Sequence, residues 1–528
     1  MKIKNIEKWI VFLAIAVVIS VTMKSSADRS MVPDLPNILW LVSEDNSPFF
    51  GCYGDEFATT PNLDQLAAEG IRYTRAFANA PVCAPARFTI ITGCYPTSCG
   101  TQHMRSIYPI PEEIKFFPQY LRLKGYYCTN CSKEDYNTIK PDGVWDESSP
   151  QASYRNRGEG QPFFHVQNFS VSHESSIHRR MENLRHNRDS VKLPPYHPDT
   201  EEIRYDWAQY YDKITELDRQ VGEFLEKLEK EGLAENTIVI YYADHGGVLA
   251  RSKRYLYETG TRVPMIVRFP EKFRHMAPGS PGSKSERLVS FVDLAPTVLS
   301  LTGIQIPEYM QGDAFLGEQT ASEPAYVFLV RGRMDERYDM SRAIRDRQYR
   351  YIRNYMPYRI YGQHLEYLWR APSCRSWEEE YLSGRCNEIQ SIFWEPKPAE
   401  ELYDLQRDPW EVDNLANDPD YNDVLIRMRK DCDRKILETY DSGFLPEPGY
   451  NDISDKSTMW EYVRSENYPR EKVLALANRA IENNPDNLPF LIEKLKEKDG
   501  ILRFWAATGL LVLGKNARTA LPHLREIL

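Results

Sequence analysis

Pro36 to Asn46 reads PNILWLVSEDN, and this stretch decides the fold. Five apolar side chains in a row, Ile38 to Val42, leave no polar face. A strand of that kind is buried on both sides, as parallel strands inside a sheet are. It ends in two acids, Glu44 and Asp45. Moving outward, TIVIYYADHGG (residues 237–247) repeats the pattern and ends in Asp244 and His245. QPFFHVQNFSVSHESS (161–176) gives a third strand, Phe163 to Val171, that runs into polar residues. Between these lie helical patterns. TTPNLDQLAAEGIRYTRAF starts a helix at Thr60 or Asn62 and stops it at Gly70, and Phe116 to Lys124 ends at Gly125. DWAQYYDKITELDRQVGEFLEKLEKEGL (206–233) is amphipathic at a helical period and ends at Gly232. Alternating strands and helices predict an α/β fold with a large, mixed but mostly parallel sheet flanked by helices. In such sheets ligands bind beyond the carboxyl ends of strands, where all three polar clusters fall.

The rest of the chain sets bounds. A length of 528 residues allows several domains, and 42% hydrophobic content is ordinary for a globular enzyme. Lys2 and Lys4, the apolar run Trp9 to Val21 and the small residues Ser25, Ser26 and Ala27 read as a signal peptide over 1–27. The run is shorter than the about 20 residues a membrane span needs. The expectation is therefore an exported, periplasmic or secreted protein with no stable membrane span in its mature form. A net charge of −10 argues against nucleic acid as partner. The arginines at 331, 333, 337, 342, 345, 347, 350 and 353 read mostly as a solvated strand pair. Of nine cysteines, Cys374 and Cys386 flank a polar loop and are the expected disulfide. Domain boundaries follow composition: a catalytic domain over 34–322, a smaller α+β subdomain over 323–445, and a short helical, HEAT-like tail over 451–528. AYVFLVRGRM and YRYIRNY predict strands in the subdomain, and EELYDLQRDPWEVDNLA (400–416) a strand, a turn and a helix. A single HEAT-like unit cannot bury its own apolar face, so it packs on the preceding domain or needs further repeats.

PVCAPARFTIITG (81–93) holds a cysteine four residues before Arg87. From its residues alone Cys83 is half of a disulfide, a metal thiolate, a nucleophile or the precursor of another functional group. Carboxylates delivered by different strand ends, Glu44 and Asp45 with Asp244, are what a hard divalent cation requires.

CAPAR is the Cys-x-Pro-x-Arg signature of the type I sulfatases in the alkaline-phosphatase superfamily, and the ordered set TPNLDQLAAEG, AFANAPVCAPAR, TG and DHGG resembles that family from about Asn37 to Ala416. The resemblance implies that Cys83 is oxidised to Cα-formylglycine by a formylglycine-generating enzyme. The aldehyde hydrates, one hydroxyl attacks sulfur, and the other expels sulfate. It further implies a metal, Ca²⁺ first with Mg²⁺ or Mn²⁺ as alternatives, on Glu44, Asp45, Cys83, Asp244 and His245. Arg87 and Lys133 would hold the hydrate, Lys253 the sulfate, and His173 would protonate the leaving oxygen, with His178 a substrate contact. The sulfated carbohydrate would be read by the C-terminal region through Arg331, Arg333, Asp335 and Glu336. SHESS and RSKRYLYETGTRVP look most like the heparan N-sulfatase branch, which acts in glycosaminoglycan degradation. Three departures stand out. Glu44-Asp45 replaces an Asp pair, Ser132-Lys133-Glu134-Asp135 lacks the family's second histidine, and His245 stands where asparagine is usual. Imidazole suits transition metals better than calcium. Phosphonate monoester hydrolases of the same superfamily carry Asp-His there, which makes phosphonate or phosphodiester hydrolysis the alternative activity.

Overall fold

In the computed structural model residues 35–526 are described, and the expected signal peptide lies outside them. β1 (Asn37–Ser43) is buried along its whole length. It sits in the middle of an eight-stranded sheet with order β4-β3-β5-β1-β6-β7-β2-β8. The other strands are β2 (Ile71–Phe77), β3 (Tyr127–Cys131), β4 (Glu147–Ser148), β5 (Phe163–Phe169), β6 (Thr237–Ala243), β7 (Arg262–Arg268) and β8 (Lys284–Ser290). β1 runs parallel to both β5 and β6, with Ser43 level with Phe169 and with Ala243. The residues that follow these three strands therefore emerge at one height. β7 is antiparallel to both of its neighbours, which makes the sheet mixed.

Helices cover the sheet. α1 (Pro61–Glu69) turns Leu63, Leu66 and Ala67 inward. α2 (Cys83–Thr92) is buried at every position, and α3 is Phe117–Leu123. The long α4 (Glu201–Lys230) starts where the Thr200 hydroxyl accepts the Ile203 N–H. α2 carries the CAPAR motif and went unanticipated as a helix, because a helix buried all round shows no amphipathic period.

A second, four-stranded antiparallel sheet has order β12-β11-β10-β9, from β9 (Val327–Arg331), β10 (Ser341–Arg345), β11 (Tyr349–Asn354) and β12 (Glu400–Asp404). The reading of its arginines as solvated is corrected here. Arg331, Arg342, Arg345, Arg350 and Arg353 are buried. Each faces a carboxylate, as in Arg342 with Asp441 at 2.5 Å and Arg350 with Glu411 at 2.8 Å. The Cys374–Cys386 disulfide is also overturned, since all nine cysteines are free. Cys374 lies in the first turn of α5 (Pro372–Leu382) and Cys386 beyond its other end. About two turns of helix and a reversal at Gly384, φ 74°, lie between them. After β12 the helix comes later than anticipated. The Asp408 carboxylate accepts the Val412 and Asp413 N–H groups and closes a turn, and α6 begins only at Asn422 (Asn422–Glu438).

α7 (Arg470–Ala480), α8 (Leu488–Lys494) and α9 (Gly500–Leu513) form the helical segment. Its apolar face shares one cluster with Phe328, Ile344, Tyr351 and Tyr355 of the second sheet. Trp505 anchors it, ringed by Tyr355 and Phe444 and donating to the Phe444 carbonyl at 2.9 Å. From Asn37 onward the chain forms one compact unit. Among the described residues no helix is long and apolar enough to cross a membrane.

Candidate active site

The level ends of β1 and β6 deliver Glu44, Asp45, Asp244 and His245, and the first turn of α2 brings Cys83 under them. Cys83 Sγ lies 3.1 Å from His245 Nε2 and 3.9 Å from Asp45 Oδ1. His245 Nε2 is 3.0 Å from Asp45 Oδ1 and 3.7 Å from Asp244 Oδ1. Asp45 takes a left-handed backbone, φ 56°, and its N–H donates to Asp244 Oδ1 at 3.1 Å. Asp45, Asp244 and His245 are fully buried.

Cations ring this centre. Lys253 Nζ donates to Asp45 Oδ2 at 2.7 Å and is 3.4 Å from Glu174. Arg87 donates through Nε and Nη2 to Asp244 Oδ2 at 3.2 and 3.0 Å, and through Nη1 to Asn168 Oδ1 at 2.9 Å. Lys133, just past β3, donates to Glu44 Oε2 at 2.6 Å, and His173 Nε2 stands 3.9 Å from the same oxygen. Burial alone would raise the Asp45 carboxyl, but Lys253 and His245 beside it hold it well below the ordinary carboxylate range. Asp244 falls to about 2 against its burial, through His245 and Arg87. Burial lowers the imidazoles of His173 and His178.

The donor chemistry fits a divalent cation. Ligand atoms of Glu44, Asp45, Cys83 and His173, and of Asp45, Cys83, Asp244 and His245, form two overlapping groups, each within 4.8 Å. The field at that point favours positive charge: although burial acts against it, Asp244, Cys83 and Asp45 pull His245 up to about 10. Asp135 belongs to neither group.

Two residues of this centre were missed in the sequence. Glu174 is fully buried; its N–H donates to Asp45 Oδ2 at 2.8 Å, and its carboxylate takes both ends of the Arg254 guanidinium at 2.8 and 2.9 Å. Their signal was position alone, each being the next residue after a named candidate, His173 or Lys253. Of the anticipated sugar-binding residues, Asp335 joins the centre through Arg254 Nε at 3.0 Å. The others find partners elsewhere: Arg331 with Asp339 at 3.4 Å, Arg333 with Glu447 at 2.8 Å, and Glu336 with the Glu366 N–H at 2.7 Å. His178 packs edge-on to Tyr367, 4.7 Å between ring centres.

This constellation can hold a cation beside Cys83 and hold an anion between Lys133, Lys253 and Arg87. A family model described as Sulfatase matches residues 36–184 and 127–304. The chain belongs to the sulfatase family. Its members hydrolyse sulfuric esters or sulfamates, and so does this enzyme. A second model, N-sulphoglucosamine sulphohydrolase, C-terminal, matches residues 250–364. An ulvan-active sulfatase of Formosa agariphila is 39% identical over 470 residues, covering 80% of this chain and 78% of that one. Human N-sulphoglucosamine sulphohydrolase is 24% identical, covering 77% and 90%. Among solved structures, one bound to its substrate D-glucosamine-2-N,6-O-disulfate superposes with a TM-score of 0.57 at 18% identity, over 80% of this sulfatase and all of that chain. A phosphonate monoester hydrolase from Silicibacter pomeroyi gives 0.58 at 16%, over 78% and 97%. Both share the fold.

Proposed function

We propose that this sulfatase is exported and removes sulfate from a sulfated polysaccharide of the ulvan kind, with Cys83 matured to formylglycine and a divalent cation held by Asp45, Asp244 and His245 with Glu44. The observation that carries the proposal is the packing of Cys83 against the carboxylate pair while three cations face the same space. Formylglycine would supply an aldehyde hydrate as nucleophile and sulfate acceptor, and the cation would stabilise its anionic form. The remaining work falls to fixed side chains. Arg87, locked on Asp244 and Asn168, orients the first turn of α2. Lys133 and Lys253 stabilise the negative charge of the transferring sulfate. His173, made less basic by burial, gains a proton as the sulfate's charge enters beside it, and delivers that proton to the leaving oxygen.

An ulvan-type substrate is favoured over heparan N-sulfate by the higher identity to the Formosa relative, 39% against 24%. A phosphonate monoester is the second reading, favoured by His245 and by the shared fold. Release of inorganic sulfate from ulvan oligosaccharides, faster than from N-sulfated glucosamine and faster than hydrolysis of an aryl phosphonate, is the expected outcome. A higher kcat/KM on the phosphonate would overturn the substrate assignment.

A further inference from the structure

The segment 101–106 lies against the residues on either side of Cys83. Met104 packs with Met334 on Val82 and Ala84, which flank Cys83. Its backbone is pinned from two sides. Asn137, on the loop that follows Lys133, donates to the carbonyls of Thr101 and His103 at 2.6 and 2.7 Å. From the other side Met104 N–H donates to the Arg333 carbonyl at 3.0 Å, and Arg333 N–H donates to His103 Nδ1 at 3.0 Å.

Within that frame Arg105 adopts φ 59°, and the two residues it leads to are left-handed as well, Asp335 at 47° and Arg254 at 79°. Such backbones persist in non-glycine residues only where the surroundings enforce them, and they gather at functional sites. Contacts run without a break from floor to rim. Asp45 meets Glu174, Glu174 meets Arg254, Arg254 meets Asp335, and Asp335 Oδ1 meets Arg105 Nη1 at 3.5 Å. The neighbouring cations are already paired: Arg254 is buried with its fork on Glu174, and Arg333 is held by Glu447. Arg105 differs, with 68% of its side chain exposed. An ion pair that open contributes little to stability, so folding does not explain an arginine placed here.

We infer that Arg105 is a specificity-determining residue that binds a second anionic group of the substrate, a carboxylate or sulfate on the sugar next to the one losing its sulfate. An arginine fork on a rigid backbone pairs with either anion through two parallel N–H donors. The inference rests on the polysaccharide reading above, and the two fail separately. If the wild type releases no sulfate from a uronate-containing sulfated oligosaccharide while hydrolysing para-nitrophenyl sulfate, the polysaccharide reading falls.

Given wild-type activity on both substrates, Arg105→Ala raises KM on the oligosaccharide by roughly ten- to a hundred-fold, and changes kcat/KM on para-nitrophenyl sulfate by less than about two-fold. Arg105→Gly relaxes the left-handed backbone and removes the fork, so it gives the same split without loss of melting temperature. Arg105→Lys recovers part of the KM. Carboxyl reduction of the oligosaccharide identifies the anion. If the gap between wild type and Arg105→Ala closes, it is the carboxylate; if the gap persists, it is a second sulfate. Equal losses on both substrates, or no change on the oligosaccharide, would overturn the inference.

Discussion

Asp244 receives the Arg87 guanidinium on one oxygen and the Asp45 N–H on the other. Asp244→Ala therefore removes a proposed cation ligand and strands a buried arginine. It abolishes divalent-cation binding by calorimetry and lowers stability by about 3–5 kcal/mol. Asp135→Ala leaves cation binding unchanged, because Asp135 lies outside both ligand groups; equal weakening by the two variants would redraw the site. At this scale much was legible. Acids at strand ends and an ordered motif sufficed to name Glu44, Asp45, Cys83, Lys133, Asp244, His245 and Lys253, which the fold gathers. Glu174 and Arg254 were not legible, since a lone acid or arginine in sequence reads as solvated. Their role appears only when Asp45 and Asp335 are seen on either side of them.

For the strands, continuous apolar runs predicted β1, β5 and β6, because burial on both faces leaves that pattern. The same property hid α2, whose buried positions carry no period. The second sheet failed differently. Arginine is rarely buried, so RAIR and RYIR read as solvent-facing, whereas the acids that neutralise them come from remote loops. Arg342 meets Asp441 from 99 residues away, and both are fully buried. Arg342→Leu should cost about 3–5 kcal/mol in denaturant unfolding, because Asp441 is left unpaired. Arg347→Leu, which breaks an exposed pair with Glu323, should cost less than about 1 kcal/mol. Similar costs for the two would mean that burial of the pair is not what matters.

Across the whole molecule, α4 and α5 are joined through Asp206, whose Oδ2 caps α5 by accepting the Ser373 N–H at 2.8 Å. Burial pushes this carboxyl up to about 6, with Ser373 acting the other way. The folded state thus holds the proton more tightly than the unfolded chain. No penalty exists below the ordinary carboxylate range, stability falls as pH rises toward about 6, and the full cost persists above it. Asp206→Asn keeps the cap and removes the charge. It should raise stability at pH 8 by up to about 3 kcal/mol and flatten this part of the pH profile; an unchanged profile would contradict the assignment. What sequence could not give at this scale was how the helical segment is used, because its partner surface on the second sheet is assembled from distant strands. Conversion of Cys83 into the reacting centre is tested by the mass of the peptide spanning residue 83, measured beside turnover in one series of preparations. The expected result is that kcat on an aryl sulfate rises in proportion to the fraction of that peptide lightened to formylglycine, and that Cys83→Ser, made without a maturation enzyme, is folded and inactive. Full turnover from protein whose peptide carries only unmodified cysteine would contradict it.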